Sequence, residues 1–349
     1  MRGVWTSAIW AMVLAVTLAA SAASCGDDDD ATTLQGGSGD DDDDDAGGIP
    51  DDDATDDDAT DDDTVDDDAD DDDDDTTDPT QVTVQSSVFF MGCEPEDSSC
   101  ADDEKPRHEV FVFEFVIDVN EVTNADFLTF LLVENPENDC DGFTCVGSAH
   151  DGGDPYQGLY LDGEEWAIDA GYEDRPAVGV SWYGANAYCV AQSRRLPTEA
   201  EWEKAAKGGF EHRIFPWSDT FESNALNYLS NGDPFEAGSA PRTTPVGYFN
   251  GEEHDGYQTT DGRSPYGLHD MLGNAAEWVG DYYGPEYYND TPDGGWQNPT
   301  GPDSGAEKVI RGSAWTSVDE TITRSTRRDH FAPESPGISA FGFRCVHNP

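Results

Sequence analysis

Seven cysteines and seven histidines are the residues of this 349-residue chain best suited to metal or redox chemistry. Setting Cys25 aside leaves Cys93, Cys100, Cys140, Cys145, Cys189 and Cys345, an even number that suits disulfides in an exported protein. Cys93 and Cys100, like Cys140 and Cys145, are close enough in sequence to close small loops. Cys189 and Cys345 would then join the middle of the chain to its end, removing roughly 4–5 kcal/mol of chain entropy from the unfolded state. No cysteine pair has histidines at zinc spacing. His108, His150, His212, His254, His269, His330 and His347 include no i, i+4 pair, and each reads as a surface or packing residue. A Gly-rich phosphate loop and a dinucleotide fingerprint are both absent.

Carboxylates dominate the charge. The formal net charge is −59, and 29 aspartates fall between Asp27 and Asp78. With no basic face in view, nucleic acid is excluded as a partner. Residues 26–79 repeat Asp-Asp-Asp-Ala-Thr from Asp51 and lack apolar side chains to bury, so they read as a disordered linker stretched by its own repulsion. It serves as a spacer and tether rather than a defined metal site. Residues 1–25 read as an export signal, with Arg2, an apolar run from Ala8 to Ala20, and Ser21-Ala22-Ala23-Ser24 before Cys25. Small residues before a cysteine suit a bacterial lipoprotein site with Cys25 lipidated; the alternative is ordinary cleavage near Ala23. The expectation is an exported, membrane-anchored cell-envelope protein, periplasmic or at the cell surface.

The elements that must position any chemistry lie in a domain at 80–349. Val82–Val84, Val88–Gly92 and the alternating His108–Asp118 read as strands. Thr123 starts a helix with Phe127, Leu128, Leu131 and Leu132 on one face, and 134–175 reads as loop. A second helix is expected from Gly184 to about Ser193. The third starts at Thr198, which with Glu201 forms a capping box; Lys204 and Lys207 sit toward its end to suit the dipole, and Gly208-Gly209 stops it. Beyond it the chain is rich in Gly, Pro, Asn and aromatics, which predicts an α+β domain with little regular structure.

Three blocks carry a resemblance. Arg195-Leu196-Pro197-Thr198-Glu199-Ala200-Glu201-Trp202-Glu203 is followed by Gly267-Leu268-His269-Asp270-Met271-Leu272-Gly273-Asn274-Ala275-Ala276-Glu277-Trp278 and by Gly342-Phe343-Arg344-Cys345. With Phe90-Met91-Gly92, Val180-Ser181-Trp182-Tyr183-Gly184-Ala185 and Arg311-Gly312 in the same order, the chain resembles the sulfatase-modifying-factor family, whose best-known members are formylglycine-generating enzymes. The resemblance covers about residue 85 to the end. It implies an irregular α+β fold akin to C-type lectins, and a disulfide between Cys189 and Cys345.

The resemblance also implies two calcium sites. One would use Asn227, the Tyr228 carbonyl, Asp233 and the Phe235 carbonyl; the other Asp270, Gly273, Ala275 and Glu277. Mixed carboxylate, amide and carbonyl oxygens suit this hard ion. Catalytic relatives bind copper(I) through two cysteines five residues apart. Here Ser317 and Ile322 stand in those places, Ala314 replaces a serine and Ala276 a tryptophan. Hydroxyl and alkyl groups are poor cuprous ligands, so copper is not expected. Three readings follow. The first is a calcium-stabilised module binding a peptide or glycan, with Tyr282, Tyr283, Tyr287 and Tyr288 as exposed aromatics. The second is an oxidase of sulfatase cysteines with an altered centre. The third is a structural envelope head. The Ser317/Ile322 pair favours the first and leans against an enzyme.

Overall fold

The computed structural model describes residues 80–349 apart from 136, 149–155, 210–211, 230, 237–241 and 337. All of these described residues belong to one unit, Asp73–Pro349. The leader at 1–25 with Cys25, and the Asp-rich segment at 26–79, lie outside the described residues.

β1 (Gln81–Val84) and β2 (Ser87–Met91) are followed by β3 (His108–Val112) and β4 (Phe115–Asp118). The alternation over 108–118 reads as one strand, yet it divides between two sheets: β3 pairs with β2, and β4 with β1. At the break the Phe113 N–H donates to Asn298 Oδ1 and the Glu114 N–H to Ser86 Oγ, both at 2.7 Å. These side-chain acceptors stand in for ladder bonds that neither residue has.

α1 (Asn124–Val133) is capped by Thr123, which accepts from the Asp126 N–H while Asp126 bonds back to Thr123. Phe127, Phe130 and Leu131 are buried, but Leu132 is 51% exposed. At about 100° per residue it has turned off the buried face that Leu131 occupies. Residues 134–175, expected as loop, hold two hairpins: β5 (Asp139–Cys140) with β6 (Phe143–Thr144), and β7 (Leu159–Asp162) with β8 (Glu165–Ile168). Their Asp and Gly content is turn chemistry; Asp141 and Gly142 have φ of 57° and 83°, as a two-residue hairpin turn requires.

α2 (Trp182–Ala191) begins ahead of Gly184 because the Ser181 hydroxyl accepts the Gly184 N–H and caps the helix. α3 (Glu199–Lys207) carries the expected capping box from Thr198 and Glu201 and stops at Gly208, whose φ is 86°. There follow β9 (Glu253–His254), β10 (Tyr257–Gln258), β11 (Ala276–Tyr282), β12 (Trp296–Gln297), β13 (Lys308–Arg311), β14 (Arg328–Phe331), β15 (Phe341–Gly342) and β16 (Val346–His347). The main sheets run β14-β13-β11-β15, β1-β4-β16 and β12-β3-β2. The architecture is α+β with short elements and long connections.

One apolar core gathers Phe127, Tyr188 and Phe343 between α1 and α2; a second gathers Phe89, Trp202 and Leu272 around α3. All nine residues of α3 are buried, although five are charged. Lys204 and Lys207 therefore do not face solvent at the helix end: Lys204 Nζ donates to the Gln85 carbonyl at 2.7 Å, and Lys207 pairs with Glu94 at 2.7 Å. Glu199 takes Arg328 at 2.7 and 2.9 Å, and Glu203 takes Arg311 at 2.6 Å. Burial alone would raise the Glu199 pKa, but Arg328 and Arg311 hold it below the usual carboxylate value.

Three disulfides close the unit: Cys93–Cys100, Cys140–Cys145 and Cys189–Cys345. The last spans 156 residues and ties α2 to the segment between β15 and β16. Replacing both Cys189 and Cys345 by Ala is expected to lower unfolding free energy by roughly 4–5 kcal/mol, read by denaturant melts. An unchanged midpoint, or both thiols found free in non-reducing peptide maps of the natural protein, would overturn this role.

Candidate functional site

Sheet β14-β13-β11-β15 delivers the chain from Arg311 into the segment where the resemblance implies copper-binding thiolates. Ser313 Oγ accepts the Gly273 N–H at 2.8 Å, joining this segment to the Asp270–Glu277 loop. Trp315 is buried, donating its indole N–H to the Ser339 carbonyl at 2.8 Å and packing edge-on to Tyr156. The Ala314–Ser317 turn closes on itself: Ser317 N–H donates to the Ala314 carbonyl, and Ser317 Oγ accepts the Ala314 N–H at 3.1 Å. That hydroxyl is a turn cap. Ile322 ends a single 3-10 turn at Glu320–Ile322 and offers no donor atom. All six cysteines among the described residues are in disulfides. The donor set here does not suit cuprous ion, which requires soft ligands.

The two sets of oxygen donors fare differently. Asp270, Gly273 and Asn274 take positive φ of 54°, 83° and 55°, winding the chain into a tight loop. A Cβ on Gly273 would lie 2.5 Å from the Asn227 carbonyl, so only glycine fits where the two loops meet. The Asn274 N–H donates to that same carbonyl at 3.0 Å. Asp270 Oδ2 accepts the Gly247 N–H at 2.6 Å; the Ala275 N–H donates to Glu121 Oε1 at 2.9 Å. Glu277 is held by Arg344 at 2.7 Å and by the Trp202 indole N–H at 2.8 Å. Three buried carboxylates, Glu121, Asp270 and Glu277, lie in the field of the Arg344 guanidinium, which hydrogen-bonds Glu277 among them. Burial pushes the Glu121 pKa well up, with Asp270 and Glu277 adding to it; burial also raises that of Asp270. Such an excess of negative oxygen fits a hard divalent cation.

In the other set, Asp233 Oδ1 accepts the N–H groups of Phe235 at 2.6 Å and Glu236 at 3.2 Å, while Oδ2 is buried with no hydrogen-bond partner among the described residues. Burial raises the Asp233 pKa. Asn227 is buried and donates to the Arg242 carbonyl at 2.8 Å; Tyr228 packs on Phe221. That oxygen of Asp233 would suit a hard cation.

The tyrosines expected as an exposed cluster are engaged in packing. Tyr288 is buried beneath the Arg328 guanidinium, Tyr283 stacks on His330 at 3.8 Å, Tyr287 stacks on Trp296, and Tyr282 holds the Lys308 ammonium 3.5 Å from its ring centre. Rings spaced along β11 and the turn after it meet different neighbours, so none forms an open face. Two residues were given no role from the sequence: Glu121, which accepts the Ala275 N–H, and Asp281, which accepts the Glu199 N–H. The only sequence signal for Asp281 is an acid in the otherwise apolar run from Trp278 to Tyr282.

Residues 67–349 match the family described as sulfatase-modifying factor enzyme 1-like domain. The chain belongs to this family. It is 32% identical over 246 residues to the serine/threonine-protein kinase pkn1 of Chlamydia caviae, covering 70% of this chain but 34% of that one. The chain therefore spans about a third of the length of that relative. It is 30% identical to the inactive C-alpha-formylglycine-generating enzyme 2 of Mus musculus, covering 77% of this chain and 86% of that one. It is 31% identical to the formylglycine-generating enzyme of Streptomyces coelicolor, covering 77% and 89%. Among solved structures, PvdO from Pseudomonas aeruginosa has a TM-score of 0.55 at 23% identity, covering 77% of this chain and 94% of that one, which speaks to the fold alone.

Replacing Arg344 by Met strips the three carboxylates of their guanidinium and is expected to cost about 3–5 kcal/mol. Raised folded-state pKa values mean that the folded form keeps protons which the unfolded chain releases above about pH 4. In chelating buffer the variant should lose stability more steeply than the natural protein as pH rises from about 5 to about 8. Equal slopes in thermal melts would refute the carboxylate account.

Proposed function

We propose that this chain is a non-catalytic binding module, built on the formylglycine-generating scaffold and stabilised by calcium. The observation that carries the reading is the donor chemistry at Ser317 and Ile322, together with the oxidised state of all six described cysteines. Without thiolates the oxygen-activating centre has no ligands, while the oxygen-rich loops around Asp270 and Asp233 keep an excess of acceptors. Similarity to a mouse relative named as inactive supports the same direction. In this proposal Cys25 carries a lipid, residues 26–79 hold the domain off the membrane of a bacterial cell envelope, and the ligand is a peptide or glycan.

Two measurements test it. The full chain, given copper(I), oxygen and a peptide with a Cys-x-Pro-x-Arg motif, is expected to leave the cysteine unconverted by mass spectrometry while an active relative converts it. Conversion to formylglycine would reverse the proposal. Calcium is expected to raise the melting temperature over that in chelator, with a gain of about 2.7 kcal/mol at a hundredfold excess over Kd. Asp233→Ala and Asp270→Ala should each shrink that gain, and an identical melt with and without calcium would remove both sites.

A further inference from the structure

A cavity of about 580 Å³ opens between α2, the start of α3 and the β11–β13 pair. It shares no residue with the Ser317–Ile322 segment or with either oxygen-rich loop, and its volume suits enclosure of a small organic ligand. Asp281 lies in its wall at 3% exposure. Its Oδ2 accepts the Glu199 N–H at 2.8 Å and so caps α3, while Oδ1 has no hydrogen-bond partner among the described residues. Burial and the neighbouring Glu199 carboxylate push the Asp281 pKa up to about 8, so at neutral pH this carboxyl can donate as well as accept.

The other lining groups sort by whether they are already used. Lys308 Nζ donates to the Gly280 carbonyl at 2.7 Å and sits against the rings of Tyr282 and Trp182. Arg195 is closed on Glu201 at 2.6 and 2.7 Å. Both cations in the wall are therefore committed. Asn186, one turn along α2 from Trp182, has a carboxamide without a partner among the described residues. Phe113 stands at the wall 51% exposed, held by the Asn298 acceptor at the strand break.

What remains open is an uncharged set of donors and acceptors beside apolar ring faces. An anionic ligand would meet the Glu114 carboxylate, with Arg195 already closed on Glu201 and the Lys308 ammonium buried against the Gly280 carbonyl and two rings. A peptide strand would need a row of backbone partners, and this wall supplies side chains converging from separate elements. A sugar matches both halves, with C–H faces for the rings and hydroxyls for the carboxamide and carboxyl. We propose that the cavity lined by Trp182, Asn186, Phe113 and Asp281 is a binding site for a neutral mono- or disaccharide. The proposal rests on the binding-module reading and names its ligand class.

The test is titration calorimetry of the full chain with maltose, cellobiose, lactose and N,N′-diacetylchitobiose, repeated with Asn186→Ala, Phe113→Ala and the control Phe331→Ala. The expected result is binding of at least one sugar, weakened about tenfold or more in the first two variants at unchanged melting temperature, and intact in the control. No binding of any of the four, or binding indifferent to Asn186 and Phe113, overturns the site. So does a short peptide that binds in place of sugar and is lost in the same two variants. Failure with the copper assay still silent removes this cavity and leaves the module reading standing; turnover in that assay removes the module reading itself.

Discussion

Everything else in this domain is arranged around a short helix that has no solvent face. α3 buries Glu199, Glu201, Glu203, Lys204 and Lys207 along with Trp202. An unpaired buried charge costs several kcal/mol, so each must meet a partner brought by another part of the chain. Arg311 and Arg328 come from β13 and β14, Glu94 from the disulfide loop at Cys93, and backbone carbonyls from β2 and β3. Trp202 extends the frame by its indole N–H to Glu277, and through Glu277 to Arg344. A helix of nine residues thus fixes the relative placement of segments more than two hundred residues apart.

That frame also holds the segment that runs on from β13. The segment from Gly312 to Ser317 is positioned by Ser313 on Gly273, by Trp315 on Asn274 and Ser339, and by Arg311 on α3. None of these contacts uses the side chains at 317 and 322 as metal ligands. These supporting bonds are made by residues other than Ser317 and Ile322. The oxygen-rich loops are different, because their carboxylates are part of the frame: Glu277 binds both Trp202 and Arg344, so a cation there would share an oxygen with the core.

Much of this was legible in the sequence wherever the cause is local. The helix start at Thr123 and the capping box at Thr198 depend on residues close in sequence, and the chain stop at Gly208 on a single backbone angle. Parity and spacing suggest disulfides with short loops at Cys93/Cys100 and Cys140/Cys145, the resemblance implies Cys189–Cys345, and the ordered motifs give the family. What was not legible depends on distant partners. Lys204 and Lys207 look like solvent charges until β2, β3 and Glu94 are placed over them. The hairpins within 134–175 have strands of two to four residues, too short for alternation to reveal. Tyr282 to Tyr288 look like a patch only while His330, Trp296 and Arg328 are out of sight.

The sheet order β1-β4-β16 has a consequence for how the chain reaches this state. β4 finds one neighbour close by at Gln81–Val84, but the other is Val346–His347, and the Arg195 backbone bridges to that same Val346. The pairs formed by β1 to β4 are local and can assemble early, yet this sheet is not sealed until Val346 and His347 reach β4. Contacts of such long sequence separation carry a large loop-closure cost before they give anything back, which makes for slow, all-at-once acquisition of structure. The domain therefore closes only when segments more than two hundred residues apart have met, whatever local structure forms beforehand.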